Sequence, residues 1–361
     1  MDLRRGYTSI AAEVDTAIKE VLDRGNYILG EEVRSFESEF SRYVGSRFAV
    51  GVSSGTSAIT IALMANGVGE GDEVVTAANT AIPTVTGILR AGAVPVLVDP
   101  AEDTCNLDVK GLEKGVTSRT KAVVPVHLYG NPCDMPSICE FAVSRGIRVI
   151  EDCAQAHGAE IGGRRVGSFG NAGCFSFYPT KNLGAFGDGG MITMNSEETA
   201  SKAKSLRHHG QSDRDEHDRL GMCARLDEVQ AAVLRVKLKR LDEWNARRSE
   251  IARQYLNGLT KVKTPAEEKN TKRVYHLFVI RTRQRERLRR GLIERGIGTG
   301  VHYPKPAHLQ KAFSFLGYRS GDFPLSEKLS EEVLSLPLFP ELKEQELLWV
   351  IESVNSILGA E

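Results

Sequence analysis

The chain has 361 residues, of which 41% are hydrophobic and 26% are charged, a composition typical of a soluble globular protein with a sizeable core. This length exceeds that of one small domain and predicts a large domain followed by a smaller one. Because 47 basic residues balance 47 acidic residues, the formal net charge is zero, which argues against nucleic acid or a membrane surface as a main partner.

The six cysteines point to a reduced protein without a structural metal. None of them forms a Cys-x-x-Cys pair, and no spacing resembles a zinc site, so no metal is expected. The first residues are charged and lack the apolar segment of a signal peptide, and no apolar run is long enough to span a bilayer. We therefore expect a cytoplasmic protein with free thiols.

Two amphipathic helices are predicted at the start of the chain. Apolar residues recur at helical spacing from Ile10 to Leu22, and Gly25 follows as a stop signal. Val33, Phe36 and Phe40 continue the pattern on one face of a second helix.

A series of short apolar runs then alternates with helical segments. The predicted strands are Phe48–Val52, Glu73–Thr76, Val94–Val98, Ala122–Leu128, Val149–Glu151, Cys174–Tyr178 and Met191–Met194. The predicted intervening helices are Ser57–Asn66, Ile82–Ala91 and Met135–Arg145. Because the runs are nearly continuous in apolar residues, they indicate strands covered on both faces. The alternation predicts an α/β domain with a largely parallel sheet.

Three further features precede the end of this domain. The pair Gly162-Gly163 predicts a small hairpin turn. The polar and charged segment 207–219 has no period and is predicted as a surface loop. One long helix is predicted from Leu226 to Leu241, because its apolar residues share one face.

The remainder of the chain has a different texture. From about Trp244 it mixes helical patterns with one strand, predicted at His276–Arg281. We therefore predict a large cofactor-binding domain over residues 1–243 and a smaller α+β domain over residues 244–361.

The segment Ser53–Ala58 follows a predicted strand and opens a predicted helix. Free backbone N–H groups point outward at such a helix start, and the helix dipole favours an anion there. Gly55 would let a phosphate approach the backbone closely. Taken alone, the segment is more typical of an ordinary helix cap without a ligand.

Asp152 lies at the carboxyl end of an apolar strand, the edge of an open α/β sheet where ligands bind. A carboxylate there needs exposure or a cationic partner, and a protonated pyridine nitrogen would be such a partner. Gln155, three residues on, is placed to hydrogen-bond a ring hydroxyl. The alternative for Asp152 is a strand-end residue that caps the next turn.

Lys181 follows the strand Cys174–Tyr178 and a turn at Pro179, and glycines surround it on the far side. A partly desolvated lysine has a lowered pKa and can attack an aldehyde. Ser176, five residues earlier, would then hold a phosphate. A surface lysine in a glycine loop is an equally balanced alternative when this segment is taken alone.

These three clusters together are more specific than any one of them. A phosphate cradle, a strand-end Asp and a Ser-x-x-x-x-Lys follow in order on one predicted sheet, which is the set that a pyridoxal-phosphate enzyme requires. With these positions the chain resembles the DegT/StrS-type nucleotide-sugar aminotransferases, a fold-type I (aspartate-aminotransferase-like) family. The matching segments are Gly30–Val33, Ser54–Ala58, Gly69–Val74, Pro125–Gly130, Glu151–Gln155, Phe175–Gly184, Arg225–Ala232 and His302–Pro304.

The resemblance covers nearly the whole chain and implies a specific architecture and cofactor. It implies a mixed, mostly parallel seven-stranded sheet, a smaller C-terminal α+β domain, and pyridoxal 5'-phosphate as cofactor. Lys181 matches the Schiff-base lysine and Asp152 the partner of the pyridine nitrogen, so these two are the implied catalytic residues. The implied cofactor-binding residues are Gly55, Thr56, Asp152, Gln155, Ser176 and Lys181.

The resemblance also implies the substrate, the partner and the substrate contacts. His302, Tyr303 and Arg225 match segments near the sugar-nucleotide. The family uses glutamate or glutamine as amino donor and forms homodimers with shared active sites. These enzymes make amino sugars for polysaccharides or antibiotics.

Two positions depart from the family pattern. Cys223 stands where relatives commonly have an Asn that reaches the phosphate of the neighbouring subunit, and a thiol is a weak hydrogen-bonder. Ala81 stands where many relatives have an aromatic residue that stacks on the cofactor ring. The stretch Lys181–Gly184 resembles members that act on 3-keto sugars, whereas those acting on 4-keto sugars more often carry a His after the lysine.

The sequence thus predicts transamination of a nucleotide-linked keto-sugar, with a 3-keto-6-deoxy or related sugar favoured. The alternatives are a 4-keto-sugar or inosose aminotransferase and a catalytically silent regulator that binds the cofactor.

Overall fold

A computed structural model describes residues 2–359. Met1, Ala360 and Glu361, which the predicted domains include, lie outside the described residues. The helices are α1 (Leu3–Thr8), α2 (Ala11–Arg24), α3 (Glu31–Val44), α4 (Gly55–Ala65), α5 (Ile82–Arg90), α6 (Val109–Gly115), α7 (Met135–Val143), α8 (Glu197–Leu206), α9 (Glu228–Leu238), α10 (Leu241–Gly258), α11 (Arg285–Glu294), α12 (Pro324–Glu332) and α13 (Glu344–Gly359).

The strands of the described residues fall into one large and several small sheets. They are β1 (Phe48–Val52), β2 (Glu73–Ala77), β3 (Val94–Val98), β4 (Thr120–Val123), β5 (Arg148–Asp152), β6 (Glu160–Ile161), β7 (Arg164–Arg165), β8 (Ala172–Ser176), β9 (Gly190–Met194), β10 (Gln211–Asp213), β11 (Glu216–His217), β12 (Thr271–Lys272), β13 (Phe278–Arg281) and β14 (Val333–Leu336).

The large sheet has seven strands in the order β1-β9-β8-β5-β4-β2-β3. Strand β9 is antiparallel to its neighbours β1 and β8, and the other pairs are parallel. Each of the seven predicted apolar runs contributes one strand, so the predicted mixed, mostly parallel sheet is confirmed. The carboxyl ends of β1, β8 and β5 therefore lie at one edge, which is where the site forms.

Both faces of this sheet are covered, which explains why its strands are apolar throughout. In β8, Cys174 packs into a core with helix α4 on one face, and the next residue, Phe175, packs into a core with α3 and α9 on the other. Successive side chains of a strand point to opposite faces, so a doubly covered strand is apolar at every position.

Helix α3 begins where a carboxylate from α9 receives it. Glu228 is buried, and its oxygens accept hydrogen bonds of 2.9 Å from the backbone N–H groups of Glu32 and Val33. A Cβ on Gly30 would lie 2.6 Å from a Glu228 oxygen, so the approach needs glycine there. The carboxylate satisfies otherwise unpaired N–H groups of the helix start.

The C-terminal part builds a core of its own. Helices α10, α11 and α13 pack around the antiparallel pair β13–β14, with Ile251, Phe278, Leu334 and Val354 among the buried residues. The strand predicted within residues 276–281 is present as β13. The predicted boundary between residues 243 and 244 lies in the first turn of α10 and stays a prediction.

Three local predictions are wrong. The helix predicted from Leu226 to Leu241 is two helices, because the chain turns at Lys239 and Arg240 after α9. The loop predicted over 207–219 contains the hairpin β10–β11, formed by polar residues without an apolar period. The run predicted as a strand to Leu128 ends at Val123 in β4.

The predicted hairpin at Gly162-Gly163 is present between β6 and β7, with both glycines at positive φ. None of the helices within residues 2–359 combines the length and the apolar character needed to cross a bilayer.

Candidate active site

The carboxyl edge of the sheet brings the predicted cofactor residues together. Asp152 is the last residue of β5, and Ser176 is the last residue of the neighbouring strand β8. Gly55 and Thr56 open α4 just after β1 ends at the same edge. Lys181 follows β8 by five residues, so all of these residues lie at the same edge of the sheet.

The start of helix α4 is shaped as an anion cradle. Ser54 caps it by accepting a hydrogen bond of 3.1 Å from the Ser57 N–H. Within residues 2–359, no acceptor pairs with the backbone N–H groups of Gly55 and Thr56. A Cβ on Gly55 would lie 2.7 Å from the Cβ of Ser176, so Ser176 can lie this close to the start of α4 only because residue 55 is glycine.

The Asp152 carboxylate is buried and held by two donors. Its Oδ2 accepts from Thr84 Oγ1 at 2.8 Å, and its Oδ1 accepts from the Ala154 N–H at 3.0 Å. Burial raises the pKa of Asp152, against the smaller lowering effects of Ala154, Thr84 and Lys181. In the part of the chain that the structure describes, Asp152 forms no ion pair, so its negative charge lacks a contacting cation.

Lys181 is an amine prepared for reaction near neutral pH. The turn that carries it is closed by a hydrogen bond of 2.8 Å from its backbone N–H to the Tyr178 carbonyl. Burial lowers the pKa of Lys181 from 10.5 to about 8, against the raising effect of Asp152. No hydrogen bond or ion pair holds its Nζ among residues 2–359, so the amine is available to a ligand.

Gln155 is fixed by both ends of its amide. Its Oε1 accepts from the Tyr129 N–H at 2.7 Å, and its Nε2 donates to the Tyr303 hydroxyl at 3.0 Å. An amide nitrogen has two N–H groups, so one donor of Gln155 is left for a ligand beside Asp152.

The segment of His302 and Tyr303 reaches the sheet edge from the C-terminal part. Tyr129 Oη donates to the His302 carbonyl at 2.6 Å, and His302 Nδ1 lies 2.8 Å from the Ser335 hydroxyl. Burial, and then the charge of Asp152, raise the pKa of Tyr303 to about 12, so its phenol is neutral at physiological pH. The structure therefore brings two of the three predicted substrate residues, His302 and Tyr303, to the site.

Arg225 lies beside the cradle rather than beside Asp152. The Ser53 N–H donates to the Ala224 carbonyl at 3.1 Å, which joins this segment to the end of β1. The Arg225 guanidinium lies 3.2 Å from His208 Nδ1 and donates to the exposed Cys223 thiol at 3.0 Å. Within one subunit Arg225 therefore makes no contact with the other predicted substrate residues among those described.

Asn182 and His276 were not identified as site residues from the sequence. Asn182 Nδ2 donates to Asn245 Oδ1 at 2.8 Å and to the Val274 carbonyl at 2.9 Å, which leaves its Oδ1 to accept from His276 Nδ1 at 3.2 Å. The proton of His276 is thereby placed on Nδ1. Burial and then the charge of Lys181 lower the pKa of His276, so the ring is neutral.

Thr84 was also missed. It lies in the first turn of α5, and Ala81, the position at which many relatives carry an aromatic residue, immediately precedes that helix. The hydroxyls of Thr80 and Thr84 lie 2.8 Å apart.

One buried cluster has the residue types of a metal site but is satisfied by hydrogen bonds. His127, Glu151 and Cys153 place potential ligand atoms within 4.8 Å of one another. His127 Nδ1 accepts from the Cys133 N–H at 3.0 Å, so its Nε2 proton faces a Glu151 oxygen at 3.3 Å. Glu151 also accepts three backbone hydrogen bonds from the loop 167–170, and the cluster is therefore a structural support for that loop.

Known proteins resemble this chain over nearly all of its length. A protein from Streptomyces venezuelae named dTDP-3-amino-3,4,6-trideoxy-alpha-D-glucose transaminase is 44% identical over 358 residues, covering 98% of this chain and 94% of the relative. A Geobacillus stearothermophilus relative named pleiotropic regulatory protein is 44% identical over 359 residues, covering 98% of this chain and 96% of that protein.

A solved structure shares the fold closely. The crystal structure of S. venezuelae DesV in complex with a ketimine intermediate superposes with a TM-score of 0.96 at 44% identity, covering 98% of this chain and 96% of DesV. The aspartate-aminotransferase-like fold predicted from the sequence is confirmed by this likeness.

The model of the DegT/DnrJ/EryC1/StrS aminotransferase family matches residues 8–355. The family resemblance drawn from the sequence motifs is thereby confirmed, and the enzymatic class is that of the aminotransferases. The protein belongs to the DegT/DnrJ/EryC1/StrS aminotransferase family.

Proposed function

We propose that this aminotransferase binds pyridoxal 5'-phosphate and transfers an amino group from glutamate or glutamine to a nucleotide-linked keto-sugar, with a 3-keto sugar favoured. The observation that carries the proposal is the presence at one sheet edge of two groups, the buried carboxylate of Asp152, which forms no ion pair within residues 2–359, and the unbonded amine of Lys181, whose pKa is lowered by burial. The anion cradle at Gly55 completes the set.

The residues present fit each part of the cofactor. The free N–H groups of Gly55 and Thr56 and the Ser176 hydroxyl would hold its phosphate. Asp152, desolvated and without a cation, would hold the protonated ring nitrogen, and Gln155 would donate its remaining N–H to the ring hydroxyl. Lys181 would supply the amine for the aldehyde. When bound, pyridoxal phosphate supplies an aldehyde for amines and a ring that withdraws electrons.

The protein's own residues then divide the work. A Lys181 with a pKa of about 8 is partly unprotonated at neutral pH, so its Nζ can attack a carbonyl carbon and can accept or return a proton. Asp152 would hold its negative charge next to the ring proton of the bound cofactor and would thereby favour the electron-withdrawing form of the ring. The neutral phenol of Tyr303 and the segment at His302 would orient the sugar from the C-terminal side.

Two considerations favour a 3-keto sugar. The S. venezuelae relative carries a 3-amino sugar in its name. The residue after Lys181 is Asn rather than the His more common in 4-keto relatives, and its side chain is hydrogen-bonded to Asn245 and His276.

We further propose a homodimer with shared active sites. Large apolar side chains remain exposed on segments around the site. Exposed apolar clusters commonly mark interaction surfaces, so these side chains support an interface with a second subunit. They are Tyr27, Ile28, Tyr178, Phe186 and Leu220. The exposed Cys223 and the neighbouring Arg225 would face the partner's cradle. A solution mass of twice the 39.5 kDa chain would support this proposal, and a monomeric active enzyme would contradict it.

A cytoplasmic location is proposed on the thiols. All six cysteines are free, and burial raises the pKa of Cys153 and Cys174, which suits a reduced state.

The test separates the two half-reactions. Protein loaded with pyridoxal phosphate is mixed with stoichiometric glutamate or glutamine, and release of the keto acid is measured. Nucleotide-linked 3-keto and 4-keto sugars and an inosose are then compared as amino acceptors. We expect one equivalent of keto acid per site and the fastest second step with a 3-keto sugar.

The relative named as a regulatory protein favours one alternative, a cofactor-binding regulator without turnover. If the cofactor binds but no keto acid forms from glutamate or glutamine, the result supports the regulator and contradicts the transaminase proposal.

A further inference from the structure

A chain of two buried hydroxyls leads to the Asp152 carboxylate. Thr84 Oγ1 donates to Asp152 Oδ2 at 2.8 Å, and Thr80 Oγ1 lies 2.8 Å from Thr84 Oγ1. The exposed fractions of Asp152, Thr84 and Thr80 are 4%, 0% and 2%, so no solvent competes for these bonds.

The direction of both protons follows from the acceptor. An ionised carboxylate can only accept, so the single proton of Thr84 must point to Asp152. The Thr84 oxygen is then free to accept from Thr80, whose proton points the same way. Both O–H dipoles are therefore aligned toward the negative charge, an arrangement in which each bond strengthens the next.

The helix that carries Thr84 is held rigidly against α4. Thr60 Oγ1 donates to the Gly87 carbonyl at 3.1 Å, and a Cβ on Gly87 would lie 2.8 Å from a side-chain carbon of Ile59. Because α5 cannot shift without breaking this contact, the position of the Thr84 hydroxyl is fixed by the fold. Together with the Ala154 N–H on the other oxygen, it fixes the plane of the carboxylate.

We propose that Thr84, supported by Thr80, is a positioning residue that holds the Asp152 carboxylate ionised and oriented for the protonated ring nitrogen of the cofactor. The inference rests on the proposed function and goes beyond it, because it assigns a determinant of cofactor affinity to a residue outside the cofactor's contact set. Thr84 acts through Asp152 and not on the reacting atoms.

The test measures the dissociation constant of pyridoxal phosphate by absorbance titration of the apoprotein. Loss of a hydrogen bond to a charged group predicts about 10- to 100-fold weaker binding for Thr84→Val. Thr84→Ser keeps the donor and should bind within about threefold of the unaltered protein. Thr80→Val removes only the outer hydroxyl, and a weakening of about threefold is expected from one neutral hydrogen bond.

A matched control and a double-mutant cycle make the result specific. Thr76 is also fully buried, and its hydroxyl donates to the Val124 carbonyl at 2.8 Å, so Thr76→Val makes the same chemical change away from Asp152. In an Asp152→Asn background, Thr84→Val should weaken binding by less than about threefold, since its effect passes through the carboxylate.

The outcomes separate this inference from the proposed function. If the unaltered protein binds no pyridoxal phosphate, the proposed function fails. If it binds, but Thr84→Val behaves like Thr76→Val, or loses affinity equally with and without Asp152, the positioning role is overturned. If circular dichroism shows that Thr84→Val folds poorly, Thr80→Val takes its place in the double-mutant cycle. Absence of coupling between Thr80→Val and Asp152→Asn would then overturn the inference.

Discussion

The side-chain amide of Gln155 donates a hydrogen bond of 3.0 Å to the hydroxyl of Tyr303, which lies 148 residues further along the chain. This bond joins the carboxyl edge of the sheet to the segment that arrives from the C-terminal part. In the proposed site Tyr303 would therefore have two functions: it would orient Gln155, and its neutral phenol would face the sugar.

The first prediction concerns this bond. Tyr303→Phe should raise KM for the keto-sugar and weaken pyridoxal phosphate binding, each about three- to tenfold, because one neutral hydrogen bond is lost. Steady-state kinetics and cofactor titration measure the two effects. Tyr43→Phe, which removes a hydroxyl bonded to Asp242 at 2.6 Å away from the site, is the control. Unchanged constants in Tyr303→Phe would show that the phenol serves neither function.

The second prediction concerns the acidity of Lys181. With a pKa lowered to about 8, the free amine makes up about a tenth of the population at pH 7 and about nine tenths at pH 9. The rate at which apoprotein captures pyridoxal phosphate should therefore rise about tenfold per pH unit below pH 8 and level off above it.

Stopped-flow absorbance measures this profile, and Lys181→Ala should show no covalent capture and no turnover. A rate that keeps rising to pH 10, as for an ordinary exposed lysine, would contradict the lowered pKa.

The third prediction tests the cradle. Gly55→Ala places a Cβ 2.7 Å from Ser176 Cβ, so the start of α4 must move away from β8. We expect a loss of about 1–3 kcal/mol in the free energy of unfolding, as for other overpacked sites, together with weaker cofactor binding. Gly298→Ala is the control, since a Cβ there meets no atom within 4 Å. Equal stability of the two variants would mean that the cradle adjusts freely.

The fourth prediction concerns the cap between helices α9 and α3. Glu228→Ala leaves the N–H groups of Glu32 and Val33 buried without an acceptor, and a loss of about 2–4 kcal/mol of stability is expected. The midpoint of urea unfolding measures it. Glu113→Ala removes an exposed carboxylate on α6 and should be nearly neutral. A neutral effect at Glu228 would imply that water replaces the carboxylate.

The fifth prediction links Cys223 to the proposed dimer. If this residue faces the partner's phosphate, Cys223→Asn should tighten pyridoxal phosphate binding about three- to tenfold, because an amide donor replaces a weak thiol. Cys223→Ala should leave the affinity unchanged. If Cys223→Asn shows no gain in affinity for pyridoxal phosphate, measured on protein of verified dimeric mass, the proposed cross-subunit contact is contradicted.

The seven strands of the large sheet could be predicted from their apolar runs alone. Their order in the sheet was not predicted from the sequence. Asp152 was placed at the sheet edge from the sequence because strand ends in an α/β fold meet at one edge, whereas Ser176 lay inside the predicted strand Cys174–Tyr178 and is the last residue of β8 in the structure. The run to Leu128 was predicted too long because Val124 and Val126 continue the apolar pattern, whereas the backbone leaves the strand and reaches Tyr129 at a φ of 61°.

Other features have no local signal in the sequence. The break between α9 and α10 falls at Lys239 and Arg240, without glycine or proline, and the apolar face continues through it to Leu241. Thr84 and His276 belong to elements far from Asp152 and Lys181 along the chain. Only the packing of those elements brings the Thr84 hydroxyl to Asp152 and the His276 imidazole near Lys181.

The bonds of Asn182 have a consequence for the construction of hybrid enzymes. Its amide joins the lysine-bearing turn to Asn245 on α10 and to Val274 and His276 beyond it. A crossover placed between residues 182 and 245, which would exchange C-terminal halves between relatives to change the sugar, separates the members of this set. Hybrids whose two parents differ at these positions will carry a mismatched set of hydrogen bonds at the residue next to Lys181, even when the rest of the sugar site is compatible.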